Sequence, residues 1–122
     1  MPPAPKEAPA GFRLAASPPS AETLVFSKDK ASAADELVGR SILYNWPVVG
    51  WCVGMIKARN TDARFSKTID GQREKANFVV YYEIDDEEVN TVLRAAEHGG
   101  EEDGSWVLLE PAQPAAAAAA ME

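Results

Sequence analysis

A chain of 122 residues with 19 acidic against 12 basic side chains has room for one domain and a formal net charge of −7, the wrong overall sign for gripping nucleic acid through its phosphates. The single cysteine, Cys52, excludes an internal disulfide, and with one histidine, His98, it cannot build a Cys/His metal cluster. No apolar run is long enough to span a membrane and the first residues lack the apolar stretch of a signal peptide, so a soluble, intracellular protein is expected, without cofactor or metal.

Residues 1–34 are expected to be a flexible lead-in. Met1 to Ser20 is rich in proline and alanine, and only Phe12 and Leu14 are bulky and apolar. Such a stretch buries too little surface to offset its ordering entropy and favours polyproline II. Leu24-Val25-Phe26 is a small apolar island, expected to dock on the folded part; the alternative is a short linear motif for another protein. Ser32 can cap one helical turn with Asp35 and Glu36 inside it, and Gly39 would stop that turn. Outside 35–110 the charges cancel, so the acidic excess sits on a folded domain spanning 35–110.

Val38 to Ile56 reads as a β-hairpin. Ile42, Tyr44 and Trp46 share one side of a strand because side chains alternate. After the Pro47…Gly50 break, Cys52, Gly54 and Ile56 share one face, while Trp51, Val53 and Met55 take the other. Lys57 to Ala76 is a long polar connection in which Asp70-Gly71 marks a turn and Arg64 to Ile69 can extend into a ribbon. Its basic residues Arg59, Arg64, Lys67, Arg73 and Lys75 form either a solvated tip or a basic finger for phosphates or an acidic peptide.

Asn77 to Tyr82 is the clearest strand, aromatic and β-branched throughout, with Val79 and Tyr81 on one face and Phe78, Val80 and Tyr82 on the other. Five carboxylates crowd Glu83 to Glu88. They lack a nucleophile, a histidine partner and the glycine-containing spacing of a calcium loop, which leaves a solvated acidic turn. A strand over 89–93, an acidic glycine-rich loop over 97–104 and a last strand over 105–109 follow, with Trp106 in the core. Residues 111–122 form an alanine-rich tail too short to hold a helix alone.

Five short strands in about 75 residues suggest a small all-β barrel. Val38-Gly39 followed by Ile42-x-Tyr44-x-Trp46, then Gly50-Trp51-x-x-Gly54-x-Ile56, then Val79-x-Tyr81 with an acidic turn, resembles Tudor-like domains of the SH3-like barrel superfamily, which includes chromo, MBT and PWWP domains. The resemblance covers 37–93, with Trp106 to Leu109 as closing strand, and implies a five-stranded barrel with an aromatic cage for methylated lysine or arginine. By position, Trp46 matches the cage aromatic ending the first strand, Tyr81 the aromatic on the third, and Asp86 the polar residue that orients the cation. Cys52 and Ile84 stand where the family supplies further aromatics, so the implied cage is open on two sides. Trp51, on the outward face, is the other candidate for a contact surface.

The expectation is therefore a non-enzymatic, monomeric interaction module binding a basic peptide of a protein partner, methylated or not, as in chromatin and hence in the nucleus. Two alternatives stand beside it. One is a nucleic-acid-associated module of a mobile-element or DNA-processing protein that uses the basic 57–75 hairpin. The other is a structural docking domain in a larger assembly.

Overall fold

The computed structural model describes residues 4–112. Its regular structure is almost entirely strand: β1 (Phe12–Leu14), β2 (Ser41–Trp46), β3 (Gly50–Arg59), β4 (Ser66–Ile69), β5 (Gln72–Lys75), β6 (Phe78–Tyr82), β7 (Glu87–Thr91) and β8 (Trp106–Pro111). Three short 3-10 turns, Ala21–Leu24, Ala33–Leu37 and Ala95–Glu97, link them. The fold is all-β, and no described helix is long and apolar enough to cross a membrane.

Six strands make one antiparallel sheet in the order β1-β8-β2-β3-β6-β7, while β4 and β5 form a separate ribbon. Asp70 and Gly71 at the tip of this ribbon both have positive φ, 52° and 79°, the backbone of a two-residue hairpin turn that suits Asp-Gly. The sequence suggests a closed five-stranded barrel. The hydrogen-bonded ladder is open instead, with β1 and β7 as its two ends.

The alternation read from the sequence holds. Ile42, Tyr44, Cys52, Ile56, Phe78, Val80 and Tyr82 point to one face and form the main core with Leu93, Trp106 and Leu108. Trp106 and Phe78 are wholly buried, and each such side chain contributes about 2–3 kcal/mol by leaving water. Gly54 lies between Cys52 and Ile56 on the inward face. A Cβ there would meet Val80 Cγ1 at 2.7 Å and Tyr82 Cε1 at 2.8 Å, so its bareness lets the β6 side chains cross over β3.

The lead-in is more structured than its composition predicts. Phe12–Leu14 pairs with Pro111–Leu109 as an edge strand, and Arg13 forms an ion pair with Glu110. Leu14, Ala8 and Trp51 cover Leu43, Val107 and Leu109 on the outer face of the sheet, which gives the segment the apolar contact it lacks alone. Leu24 packs on the main core, as expected of an apolar island, while Val25 stays exposed. Ser32 caps its turn: its hydroxyl accepts from the Ala34 amide, and the Asp35 carboxylate accepts from the Ser32 amide. The alanine-rich tail lies outside the described residues from 113 onward.

Candidate functional site

The β2–β3 hairpin closes through a tight loop. The Val49 amide donates to the Pro47 carbonyl (2.7 Å) around Val48, whose φ is +71°. This is a strained three-residue turn for a β-branched side chain. It holds Val48 almost fully in solvent, 89% exposed, with Val49 half exposed beside it. Across from it the Glu83–Asp86 turn joins β6 to β7 and carries Ile84, 73% exposed.

Between these two loops lies an open cavity of about 500 Å³ lined by Trp46, Cys52, Tyr82, Asp85, Glu87 and Val89, with Pro47, Val49 and Ile84 at its sides. Trp46 and Tyr82 meet edge to face, with centroids 5.5 Å apart at 74°, and Tyr44 backs Trp46 at 4.8 Å. No lysine or arginine lines this space. Two aromatic walls and two carboxylates favour a cation and repel an anion. Burial pushes the Cys52 thiol above its usual range, and the Asp85 charge adds to this, so the sulfur stays protonated and packs as a small apolar group. Burial likewise raises the Tyr82 hydroxyl well above the ordinary phenol range, and its oxygen has no hydrogen-bond partner.

The sequence-derived site residues fall in three places. Trp46 lines the pocket. Tyr81 does not join it: an odd position on β6 faces outward, and its hydroxyl donates to Asp86 at 2.7 Å. That bond to the Asp86 carboxylate raises the Tyr81 pKa. Asp86, at φ 55°, is therefore turned away from the pocket and holds Tyr81, while Asp85 and Glu87 take the position expected of it. Trp51 is on the outer face, under the Lys6 ammonium at 5.5 Å and beside the lead-in. Cys52 and Ile84 stay in the pocket wall as non-aromatic sides. Tyr82, which the positional match to the family passes over in favour of Tyr81 unless the register shifts, lies on the Trp46 side by simple strand alternation.

The basic residues of 57–75 do not form one surface. Arg59 has a buried side chain that bonds Asp35 and the carbonyls of Ser27, Asp29 and Lys30, so it clasps the lead-in. Arg64 forks onto Asp62, which holds that carboxyl down at about 2. Arg73 donates to Ser66, and Lys75 lies over Phe26 at 5.8 Å. Lys67 reaches the Tyr44 hydroxyl at 3.4 Å and lines a second cavity of about 280 Å³ with Phe65, Trp46, Val89 and Thr91. Among the described residues no cluster of three or more His, Cys, Asp or Glu side chains is placed to hold a metal ion. Comparison with family models, curated proteins and solved structures gives no match.

Proposed function

We propose that the chain is a non-enzymatic, Tudor-like interaction module of the SH3-like type, which binds a basic segment of a protein partner in the Trp46–Tyr82 pocket. One observation carries the reading: aromatic walls set nearly at right angles, with Asp85 and Glu87 at the mouth and no competing cation in the lining. The strand order β8-β2-β3-β6-β7 supports the SH3-like reading, since a four-strand meander with the last strand returning beside the first is the expected barrel layout. With Cys52 and Ile84 as apolar sides and Tyr82 only 2% exposed behind it, the Trp46 ring is the main aromatic surface offered to the cation, not a full cage. Methylation of the ligand should therefore change affinity little, because a complete desolvated cage is needed for cation–π contacts of about 2 kcal/mol each.

Titrating unmodified and methylated lysine and arginine peptides into the labelled protein, followed by NMR shift mapping, tests this. Shifts should cluster at Trp46, Tyr82, Ile84 and Asp85. Trp46→Ala should abolish them while circular dichroism stays native. Shifts centred on Trp51 and Tyr81 instead would overturn the pocket assignment.

A nucleic-acid role is favoured only by the exposed Lys67, Arg73 and Lys75 of the β4–β5 ribbon. A gel-shift titration with duplex DNA at physiological salt should show weak or no binding, because the acidic excess opposes the ribbon. Sub-micromolar, salt-sensitive binding would promote this reading over the first.

A further inference from the structure

We infer that the partner segment binds as an added strand along the free edge of β7, with an acidic residue two positions before the basic one. This rests on the pocket reading above and adds the ligand's backbone conformation and its charge order.

Three observations combine. First, β7 ends the six-stranded sheet: it pairs with β6 on one side and, among the described residues, no strand pairs with the other. An unpaired edge is a template for an extended peptide. Second, both cavities run along this same strand. The aromatic–acidic pocket takes in Glu87 and Val89, and the second takes in Val89, Asn90 and Thr91, so Trp46 and Val89 are common to both. The two cavities are thus offset by about two residues of β7, roughly 7 Å at the rise of a strand. Alternate residues of an added strand share a face at that spacing. Third, the two cavities have opposite charge. Asp85 and Glu87 border the first, while Lys67 is the one cation lining the second and has no ion-pair carboxylate among the described residues.

A basic side chain entering the first cavity therefore places an acidic side chain, two residues away, beside Lys67. The sheet is antiparallel throughout. A peptide continuing that pattern runs against β7, so its acidic residue, opposite about residue 90, precedes its basic one, opposite about residue 88.

The experiment uses the full chain and the labelled peptide Ser-Val-Asp-Val-Lys-Val-Ser, read by fluorescence anisotropy. Two further peptides carry backbone N-methyl groups, one on the Asp and Lys amides and one on the flanking Val amides. In an added strand, alternate amides face β7. One methylated peptide should lose at least tenfold in affinity and the other should bind as the parent does. Loss in both, or in neither, overturns strand addition and leaves the pocket reading standing. Lys67→Ala should weaken the parent peptide about threefold and leave a peptide with Ala for Asp unaffected. Equal weakening of both peptides overturns the charge order. Failure of the parent to bind, with retained binding of a lysine peptide lacking Asp, also overturns it. Failure of both overturns the pocket reading and this inference together.

Discussion

Gly54 decides which tyrosine reaches the Trp46 ring. Because it has no side chain, Tyr82 and Val80 can lie across β3, and Tyr82 reaches the Trp46 ring. Gly54→Ala forces a methyl into contacts under 3 Å and should cost about 1–3 kcal/mol by overpacking. Chemical denaturation measures that loss, and peptide titration should show weaker binding as Tyr82 is pushed aside. Asn77 is a second residue of this kind. Its amide donates to the Leu24 and Leu93 carbonyls, and its oxygen accepts from the Leu93 amide. Asn77→Ala strands those buried groups and should destabilise the fold by about 2–3 kcal/mol in the same assay. Neither role was legible from the residue alone. Alternation placed Gly54, Trp46 and Tyr82 on one face, but the pairing register that sets Gly54 opposite Tyr82 comes from the partner strand. A family pattern matched by position selected Tyr81, one residue away, and in a strand one residue is the other side of the sheet.

At the scale of elements, the hairpin, the basic ribbon, the capped turn at Ser32 and the Trp106 strand were legible, because each has a local signal in its own residues. Strand β1 was not. Phe12 and Leu14 are too few to specify a strand, and only the exposed edge of β8 and the outer apolar patch make one of them. Arg59 was equally hidden, since its charge reads as surface until the lead-in folds over it. Arg59→Ala should free residues 24–34, seen as faster amide exchange there with β2, β3 and β6 still protected. The loop before β8 is tied down by His98, whose Nε2 accepts from the Leu108 amide at 3.0 Å while its ring stacks edge-on against Trp106. Burial, with the Lys6 charge adding to it, lowers the His98 pKa. The unfolded chain therefore takes up this proton first as pH falls. Stability linked to His98 is complete above about pH 6.5 and is lost on descent through its lower folded pKa. Denaturation midpoints at pH 7.5 and 5.5 should differ in the native chain. His98→Gln, whose amide oxygen can accept the same bond, should narrow that difference.

Over the whole molecule, charge and shape divide the work. The net charge of −7 is concentrated in the folded part, and of the five carboxylates between Glu83 and Glu88, Asp85 and Glu87 line the aromatic pocket. Association with a basic peptide should accordingly slow as salt rises, with a smaller effect on dissociation, because long-range attraction acts mainly on encounter. Stopped-flow mixing at low and high ionic strength separates the two rates, and a salt-independent association rate would contradict the electrostatic account. All-β architecture was legible from period-two alternation and turn chemistry. The open ladder was not, because whether a curled sheet seals its last hydrogen bonds depends on how its two end strands meet, which no single segment encodes.

The unsealed margin at Glu87–Thr91 leaves the protein exposed to copies of itself as well as to a partner. Glu87, Glu88 and Asn90 project from that strand into solvent, and like charges brought together by two such margins repel. Glu87→Gln with Glu88→Gln removes this barrier while the backbone template remains. Light scattering should then show self-association of that variant into strand-rich aggregates under conditions where the native chain stays dispersed. Solubility and ligand attraction would thus draw on the same few side chains, so a variant selected for stronger capture of basic peptides by adding acids here should also be the more soluble one.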